Sequence, residues 1–274
     1  MVIILGFKRN QLGELVYYTI PSFEATDLVK HGFSTRLGGI SSAPLDSLNL
    51  GIKKSDKKEN LYKNYEIFCD ALKIPIENLV FSDQIHEDHV LDVLYKNSKK
   101  NTLSQNYIKG IDALITKKKE IALVTFHADC VPLFFLDPIE KVVGLAHAGW
   151  KGTMKKIGQK TIKKMAENYN SKPENCLVGI GPSIGPCCFE VGEDVVEQVN
   201  NYFINPSQYY ISKENGKYMV DLWKLNKNQL LEMGIQEKNI TMSHLCTKCN
   251  NEVFFSHRGD RGNTGSLAAI LQLI

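Results

Sequence analysis

The sequence predicts a layered α/β fold of the α+β type, built from mixed sheets in a single domain spanning 1–274. Three observations carry this. Apolar runs of strand length outnumber amphipathic helical stretches, and neighbouring runs form hairpin-like pairs more often than regular strand–helix–strand units. Of 274 residues, 43% are hydrophobic, enough for a sizeable core. No internal repeat, low-complexity tract or clear linker divides the chain.

Taken in order, Val2–Phe7 and Leu15–Ile20 are apolar runs separated by the polar KRNQLG, so they read as an opening hairpin with that segment as its turn. His31–Thr35 is a short strand, and the Gly, Ser and Pro content of Arg36–Gly51 marks a loop. Leu61, Tyr65, Phe68 and Leu72 fall on one helical face, predicting a helix over Lys57–Leu72. Strands Leu79–Phe81 and Val90–Leu94 flank the polar DQIHEDH of Asp83–His89, and a Lys/Asn/Ser loop leads to a strand at Asp112–Thr116. Ile121–Phe126, Val131–Leu136 and Val142–Ala146 are rich in Val, Leu, Ile and Phe and read as buried strands. Met154, Ile157, Thr161 and Met165 line one face of a helix from Gly152 to Tyr169. Leu177–Ile180 is a strand, followed by the punctuated loop GPSIGPCCFEVG. Helices follow at Glu193–Phe203 and Leu222–Met233, the second with Asp221 as N-cap. Val253–Ser256 and Leu267–Leu273 read as closing strands, the last also compatible with a helix.

A formal charge of +3 is too small to argue for nucleic acid or membrane. The lysine-rich patches Lys53–Lys58 and Lys96–Lys100 lack interleaved aromatics and read as solvated loop surface. Val2–Leu5 is too short for a signal segment, and no apolar stretch approaches the roughly 18 residues of a membrane span. Seven cysteines, an odd number without the spacing of a secreted framework, suit reduced thiols and a cytoplasmic protein.

The stretch from Leu123 to Thr153 carries the chemistry. Cys130 and His147 lie at or just beyond strand ends, and small Ala148 and Gly149 leave room beside the imidazole. A thiolate and imidazoles held on buried strands suit a zinc-type site, and DQIHEDH supplies His86 as the third ligand. Three protein ligands leave a fourth position open, as in catalytic zinc sites. Taken singly, His147 reads equally as a hydrogen-bonded core histidine and Cys130 as a small buried hydrophobe. Strand alternation through Thr125–Cys130 puts His127 and Asp129 on the face opposite Cys130. His127 and His89 are weaker ligand candidates than the trio, and His31, His244 and His257 have no legible partner. Cys246-Thr-Lys-Cys249 has the spacing of half a structural metal site or of a redox pair, but no second pair matches it, and the stronger reading is small residues near a strand. Adjacent Cys187 and Cys188 read as packing residues beside a proline turn.

In order along the chain stand FSTRLGG (Phe33–Gly39), SLNLG (Ser47–Gly51), DQIH (Asp83–His86), ADCVPLFFLD (Ala128–Asp137), HAGWKGT (His147–Thr153), GPSIGPCCFEVG (Gly181–Gly192) and FFSHR (Phe254–Arg258). In this set the chain resembles the YfiH-like or laccase-domain family, once labelled polyphenol oxidases and now regarded as zinc-dependent purine nucleoside phosphorylases. The resemblance implies a four-layer α/β/β/α sandwich. It implies one zinc ion on His86, Cys130 and His147, with copper a lesser alternative. It also implies phosphorolysis of adenosine, inosine, guanosine or methylthioadenosine, with adenosine deamination as an additional activity.

For the phosphate, Arg36 offers a fork of donors before a Gly-Gly turn, against a loop-tethering ion pair as its other reading. Gln84 offers an amide to base or sugar. Arg258 either holds phosphate or ties down the C-terminal region. Asp112, Asp129 and a water remain open as the proton donor or base. Two departures from the family pattern are Glu87, where a glycine is usual, and Thr264-Gly265-Ser266, where the last residue is usually arginine; that arginine's role is either missing or falls to Arg258 or Arg261. The alternative from the same family is a zinc hydrolase editing cytoplasmic peptidoglycan precursors. A copper polyphenol oxidase needs more clustered imidazoles than seven scattered histidines supply. A non-catalytic, zinc-pinned binding protein is the remaining reading. The expected partners are purine nucleosides and phosphate, with no nucleic acid or membrane, and the protein a monomer or homodimer.

Overall fold

The apolar runs pair into sheets in the computed structural model of the chain, which describes residues 6–95 and 107–274. A seven-stranded sheet runs in the order Lys8–Leu12, Leu15–Thr19, Val29–Ser34, Leu267–Leu273, Ala122–His127, Leu79–Asp83, Tyr107–Lys109. A six-stranded sheet has the order Ile240–Met242, Leu177–Ile180, Val131–Asp137, Val142–Ala148, Ala113–Thr116, Val90–Asp92. A small third sheet joins Glu190–Val191, Tyr218–Val220 and Tyr210–Ser212. Both large sheets mix parallel and antiparallel pairs.

Side-chain alternation explains the layering. Along Leu267–Leu273, residues Leu267, Ala269, Leu271 and Leu273 enter the core between the two large sheets, while Ala268 and Ile270 face the core under helix Lys58–Leu72. Phe134, Leu136, Val143 and Leu145 complete the inter-sheet core from the second sheet. On that sheet's outer face, Ile115, Leu133, Phe135 and Ala146 pack with Met154, Ile157, Ile162 and Met165 of helices Trp150–Met154 and Ile157–Tyr169. Val195 and Val199 of Glu193–Tyr202 and Leu225 of Leu222–Glu232 extend the same core. The result is helix, sheet, sheet, helices: the four layers that the resemblance implied. Strands buried on both faces are continuous apolar runs, which is why the sequence displays them. Asp221 caps its helix as expected, accepting the Lys224 N–H at 2.9 Å. No helix among the described residues is long and apolar enough to cross a membrane.

Three local expectations are corrected. KRNQLG is not the turn of the first hairpin: Lys8–Leu12 is itself a strand, paired with Leu15–Thr19 through a turn at Gly13, whose φ is +58°. This edge strand is exposed on both faces, so its polar sequence carried no strand signal. Val2–Leu5 and Lys96–Lys100 lie outside the described residues. The helix expected over Gly152–Tyr169 is two helices, broken where Lys156 takes φ +61°. Met154 and Ile157 both stay in the core across the break, so the apolar spacing conceals it. Val253–Ser256 is not a strand, because the N–H groups of Val253 and Phe254 both turn back to the Asn250 carbonyl at 2.9 Å. Its two phenylalanines are buried, which gave the run its strand-like composition. Leu267–Leu273 is a strand, as expected.

His31 is buried beside Phe23, with its Nε2 accepting the Ile20 N–H at 2.7 Å. Burial, opposed in part by the Glu24 charge, pulls its pKa from 6.5 to about 4. Between these values the unfolded chain binds a proton that the native state refuses. The residue's contribution is therefore complete above pH 6.5 and lost as pH falls through about 4. Urea titrations should show it as a loss of about 3 kcal/mol on that acid limb. His31→Gln, which keeps an acceptor but cannot titrate, should flatten the limb; an unchanged slope would exclude His31 as its cause.

Candidate metal centre

Asp112 assembles the site. It stands just before strand Ala113–Thr116, and its buried carboxylate accepts N–H groups from Ile85 at 3.1 Å, His86 at 3.0 Å and Glu87 at 2.9 Å. These bonds fold the segment after strand Leu79–Asp83 into a tight turn with His86 at φ +62°. The same carboxylate accepts from His147 Nδ1 at 3.0 Å, while the His147 N–H donates to the Asp112 carbonyl at 2.8 Å. With Nδ1 so engaged, Nε2 of His147 is the nitrogen free to bind a metal.

Cys130 arrives by another turn. Strand Ala122–His127 ends, Asp129 takes φ +89°, and Val131 begins the next strand. The Asp129 carboxylate ties this turn to the C-terminal loops, accepting from Thr247 Oγ1 at 2.6 Å, Ser256 Oγ at 2.7 Å and the Arg258 N–H at 2.7 Å. Because the chain turns here, strand alternation does not extend to Cys130. His127 shares a cavity wall with Cys130, its ring centroid 5.4 Å from that of His147. Its Nδ1 donates to the Cys130 carbonyl at 3.1 Å and its Nε2 accepts from Thr125 Oγ1 at 2.8 Å. Burial, reinforced by His147, holds His127 neutral, with its pKa well below the ordinary histidine value. It stands beside the trio rather than in it.

The ligand atoms of His86, Cys130 and His147 lie within 4.8 Å of one another. The rings of His86 and His147 meet edge to face at 4.9 Å between centroids. Gly149 leaves the necessary space: a Cβ there would lie 3.1 Å from Cys130 Sγ and 3.2 Å from His86 Cδ2. Burial alone would push the Cys130 thiol up, but the His147 charge and hydrogen bonds from both histidines bring it down to about 6. Burial would likewise depress His147, yet the Cys130 thiolate and the Asp112 carboxylate raise it to about 9. A thiolate and two imidazoles this close, one oriented by a carboxylate, fit a single zinc ion and its usual outer shell.

The trio opens into a cavity of about 570 Å³, a size usual for small-molecule sites. One wall carries Phe126 and Tyr107, stacked at 6.3 Å. Ile184, Phe189 and Trp150 add apolar surface, and Lys53, Lys54 and Arg258 add positive charge.

The other sequence candidates are placed unevenly. Gln84 lines the cavity, but both ends of its amide serve the backbone of Phe126, donating at 2.6 Å and accepting at 2.9 Å. Arg258 lines it too, with Nη1 on the Glu190 carbonyl at 2.8 Å and the guanidinium over the Phe189 ring. Arg36 is not brought to the trio. Its guanidinium donates to the carbonyls of Asp46 at 2.9 Å and Asn251 at 3.0 Å, lies over Phe255, and pairs with Asp46 and Asp260. It lines a different cleft, so the loop-tethering reading describes it and the phosphate reading does not. Conversely, the patch Lys53–Lys58 is not wholly solvated surface. Lys54 is half-buried against the cavity, burial lowers its pKa, and it has no ion-pair partner among the described residues. It sits beside Ser266, the position where arginine was expected: a Cβ on Gly51 would touch both Ser266 Oγ and Lys54 Cγ. Glu87 pairs with Lys155. The carboxylates of Asp112 and Asp129 are both occupied by hydrogen-bond donors. The sequence offered no sign of Asp112's organising role, since its donors are backbone groups.

A sequence profile for the family described as multi-copper polyphenol oxidoreductase laccase matches residues 30–274. The chain is 36% identical over 241 residues to purine nucleoside phosphorylase YlmD of Bacillus subtilis (strain 168), an alignment covering 88% of this chain and 87% of that protein. Two crystal structures share the fold at 32% identity and a TM-score of 0.89. They are Bacillus licheniformis hypothetical protein YfiH, covering 98% of this chain and 99% of that one, and YlmD from Geobacillus stearothermophilus, covering 97% and 98%.

The geometry makes a prediction for metal-stripped protein. Alkylation of Cys130, followed by mass spectrometry, should titrate near pH 6. Asp112→Asn removes the anion that sustains the His147 charge and should move that midpoint upward. A wild-type midpoint at the ordinary thiol value of 9.0 would refute the thiolate–imidazolium pair.

Proposed function

The chain belongs to the laccase-domain family, and on that premise we propose that it is a purine nucleoside phosphorylase, converting adenosine, inosine or guanosine and phosphate into free base and ribose 1-phosphate. The observation that carries the reading is the convergence of His86, Cys130 and His147 at the floor of a cavity with aromatic and cationic walls. It agrees with the activity named for YlmD.

In this proposal His86, Cys130 and His147 would hold zinc, which would supply Lewis acidity when bound. The protein's own groups do the rest. Asp112 keeps His147 in the metal-binding tautomer. Phe126 and Tyr107 offer flat apolar surface to a purine. Lys54 and Arg258, rather than Arg36, face the cavity with positive charge for phosphate. Gln84 positions the wall through Phe126. Adenosine deamination, in which water replaces the amine of the base, is included as a second reaction of the same cavity.

The donor set tolerates copper as well. Multicopper oxidation needs several imidazole clusters, whereas one metal-sized group among the described residues contains histidine. Seven free thiols suit a reducing compartment, and we assign the protein to the cytoplasm, acting as one catalytic domain over 1–274.

Base release from adenosine and inosine by the zinc-loaded protein should require phosphate and yield ribose 1-phosphate. Release without phosphate would overturn the phosphorylase in favour of a nucleoside hydrolase, and release from neither nucleoside would overturn it in favour of a hydrolase acting on peptidoglycan precursors. Lys54→Ala should raise the KM for phosphate by about 10-fold or more, the worth of one charge-assisted hydrogen bond. Arg36→Ala should leave that KM unchanged and instead lower thermal stability. The reverse pattern would return phosphate binding to Arg36.

A further inference from the structure

We propose that Cys187, Cys188, Cys246 and Cys249 bind a second zinc ion, in a closed structural site that pins one wall of the cavity. Their four Sγ atoms all lie within 4.8 Å of one another. Cys249 Sγ is 3.5 Å from Cys187 Sγ and 3.4 Å from Cys188 Sγ. A tetrahedral zinc with Zn–S bonds of about 2.3 Å sets its sulfurs about 3.8 Å apart, so the cage has the size of one ion. A cubane iron–sulfur cluster needs its cysteines farther apart, around the outside of the cube. Cys249 is equally near two partners, as in a shared centre, where one disulfide serves only a single pair.

Local structure builds the cage from two distant segments. After Gly185-Pro186 the chain makes a tight turn, with the N–H groups of Cys188 and Phe189 returning to the Gly185 carbonyl at 2.9 and 3.0 Å. This turn is how adjacent cysteines come to face one centre. A second turn, closed by the Asn250 N–H on the Cys246 carbonyl at 3.1 Å, presents Cys246 and Cys249 together. Ser183 zips the segments, its N–H donating to the Leu245 carbonyl and its carbonyl accepting the Thr247 N–H, both at 3.1 Å. The Gly185 N–H donates to Cys246 Sγ at 3.3 Å, an arrangement that favours a thiolate ligand. The two sequence readings of these cysteines, packing beside Pro186 and small residues near a strand, are thus replaced by one cluster.

Four protein ligands leave no position for substrate, which makes this site structural. It ties the segment carrying Ile184 and Phe189 to the one carrying Thr247, Ser256 and Arg258, whose donors hold Asp129 beside Cys130. The ion thus fixes the cavity wall without touching the trio, and the chain binds two ions where the family resemblance implied one.

The test uses full-length protein, stripped of metal under reductant and reloaded with zinc alone. Wild type should hold two ions per chain. Cys130→Ala, with the trio broken, should hold one, and its cobalt(II) form should show the intense charge-transfer bands of tetrahedral tetrathiolate coordination. Cys246→Ser/Cys249→Ser should lose that ion and those bands. In wild type, zinc should protect Cys187 and Cys249, both exposed thiols, from alkylation until a chelator is added. This last measurement needs no mutant and decides the matter if the double variant does not fold. A Cys130→Ala protein that binds no zinc with its thiols reduced would overturn the site, as would alkylation of the four cysteines unaffected by zinc.

Discussion

The site depends on one buried anion. Taking a carboxylate out of water is costly unless donors replace the water, and Asp112 receives four: three backbone N–H groups and the His147 ring. Those donors belong to different layers. The turn of residues 85–87 leaves the seven-stranded sheet, whereas His147 lies in the six-stranded one and Asp112 just before one of its strands. One charge therefore holds both histidines and ties the two sheets together at this end. The loss of water that makes Asp112 expensive also makes its partners specific, because few other arrangements satisfy it. Despite burial, which opposes ionisation, its hydrogen bonds keep the carboxyl below its usual range.

The same device recurs in other loops. Asp129 gathers Thr247, Ser256 and Arg258; Asp260 gathers Thr264, Asn251 and Ser256; Asp56 gathers Ser41, Asn49 and Lys57. Loops with no ladder to pair with are held by aspartates whose oxygens accept several donors at once. The rigid sheets set coarse positions, and these knots set the fine ones. That division is what a preorganised metal centre needs, since His86 and Cys130 come from turns and His147 from the end of a strand.

How much of this was legible follows from the same physics. Central strands buried on both faces wrote themselves as apolar runs, and their bounds were read to within a few residues. The exposed edge strand Lys8–Leu12 had no apolar face to display. The break at Lys156 was hidden because burial continues on either side of it. Residue types beside strand ends, together with ordered motifs, pointed to the convergence of His86, Cys130 and His147. Arg36 was misplaced because a guanidinium suits phosphate wherever it sits, and suitability says nothing about location. Lys54 was missed for the opposite reason, since a lysine in a charged run looks solvated until its burial is known. The four cysteines needed tertiary structure: two turns far apart in sequence meet only after the sheets have formed.

Strand Leu267–Leu273 occupies the middle of the larger sheet, between Val29–Ser34 and Ala122–His127, and contributes to two cores. The middle of this layer is therefore closed by pairing between strands far apart in sequence. Until Leu267–Leu273 docks, both flanking strands have open edges and neither core can close. Such long-range pairing is slow to form, and partly folded chains of this protein are natural clients for chaperones that shield unpaired strands.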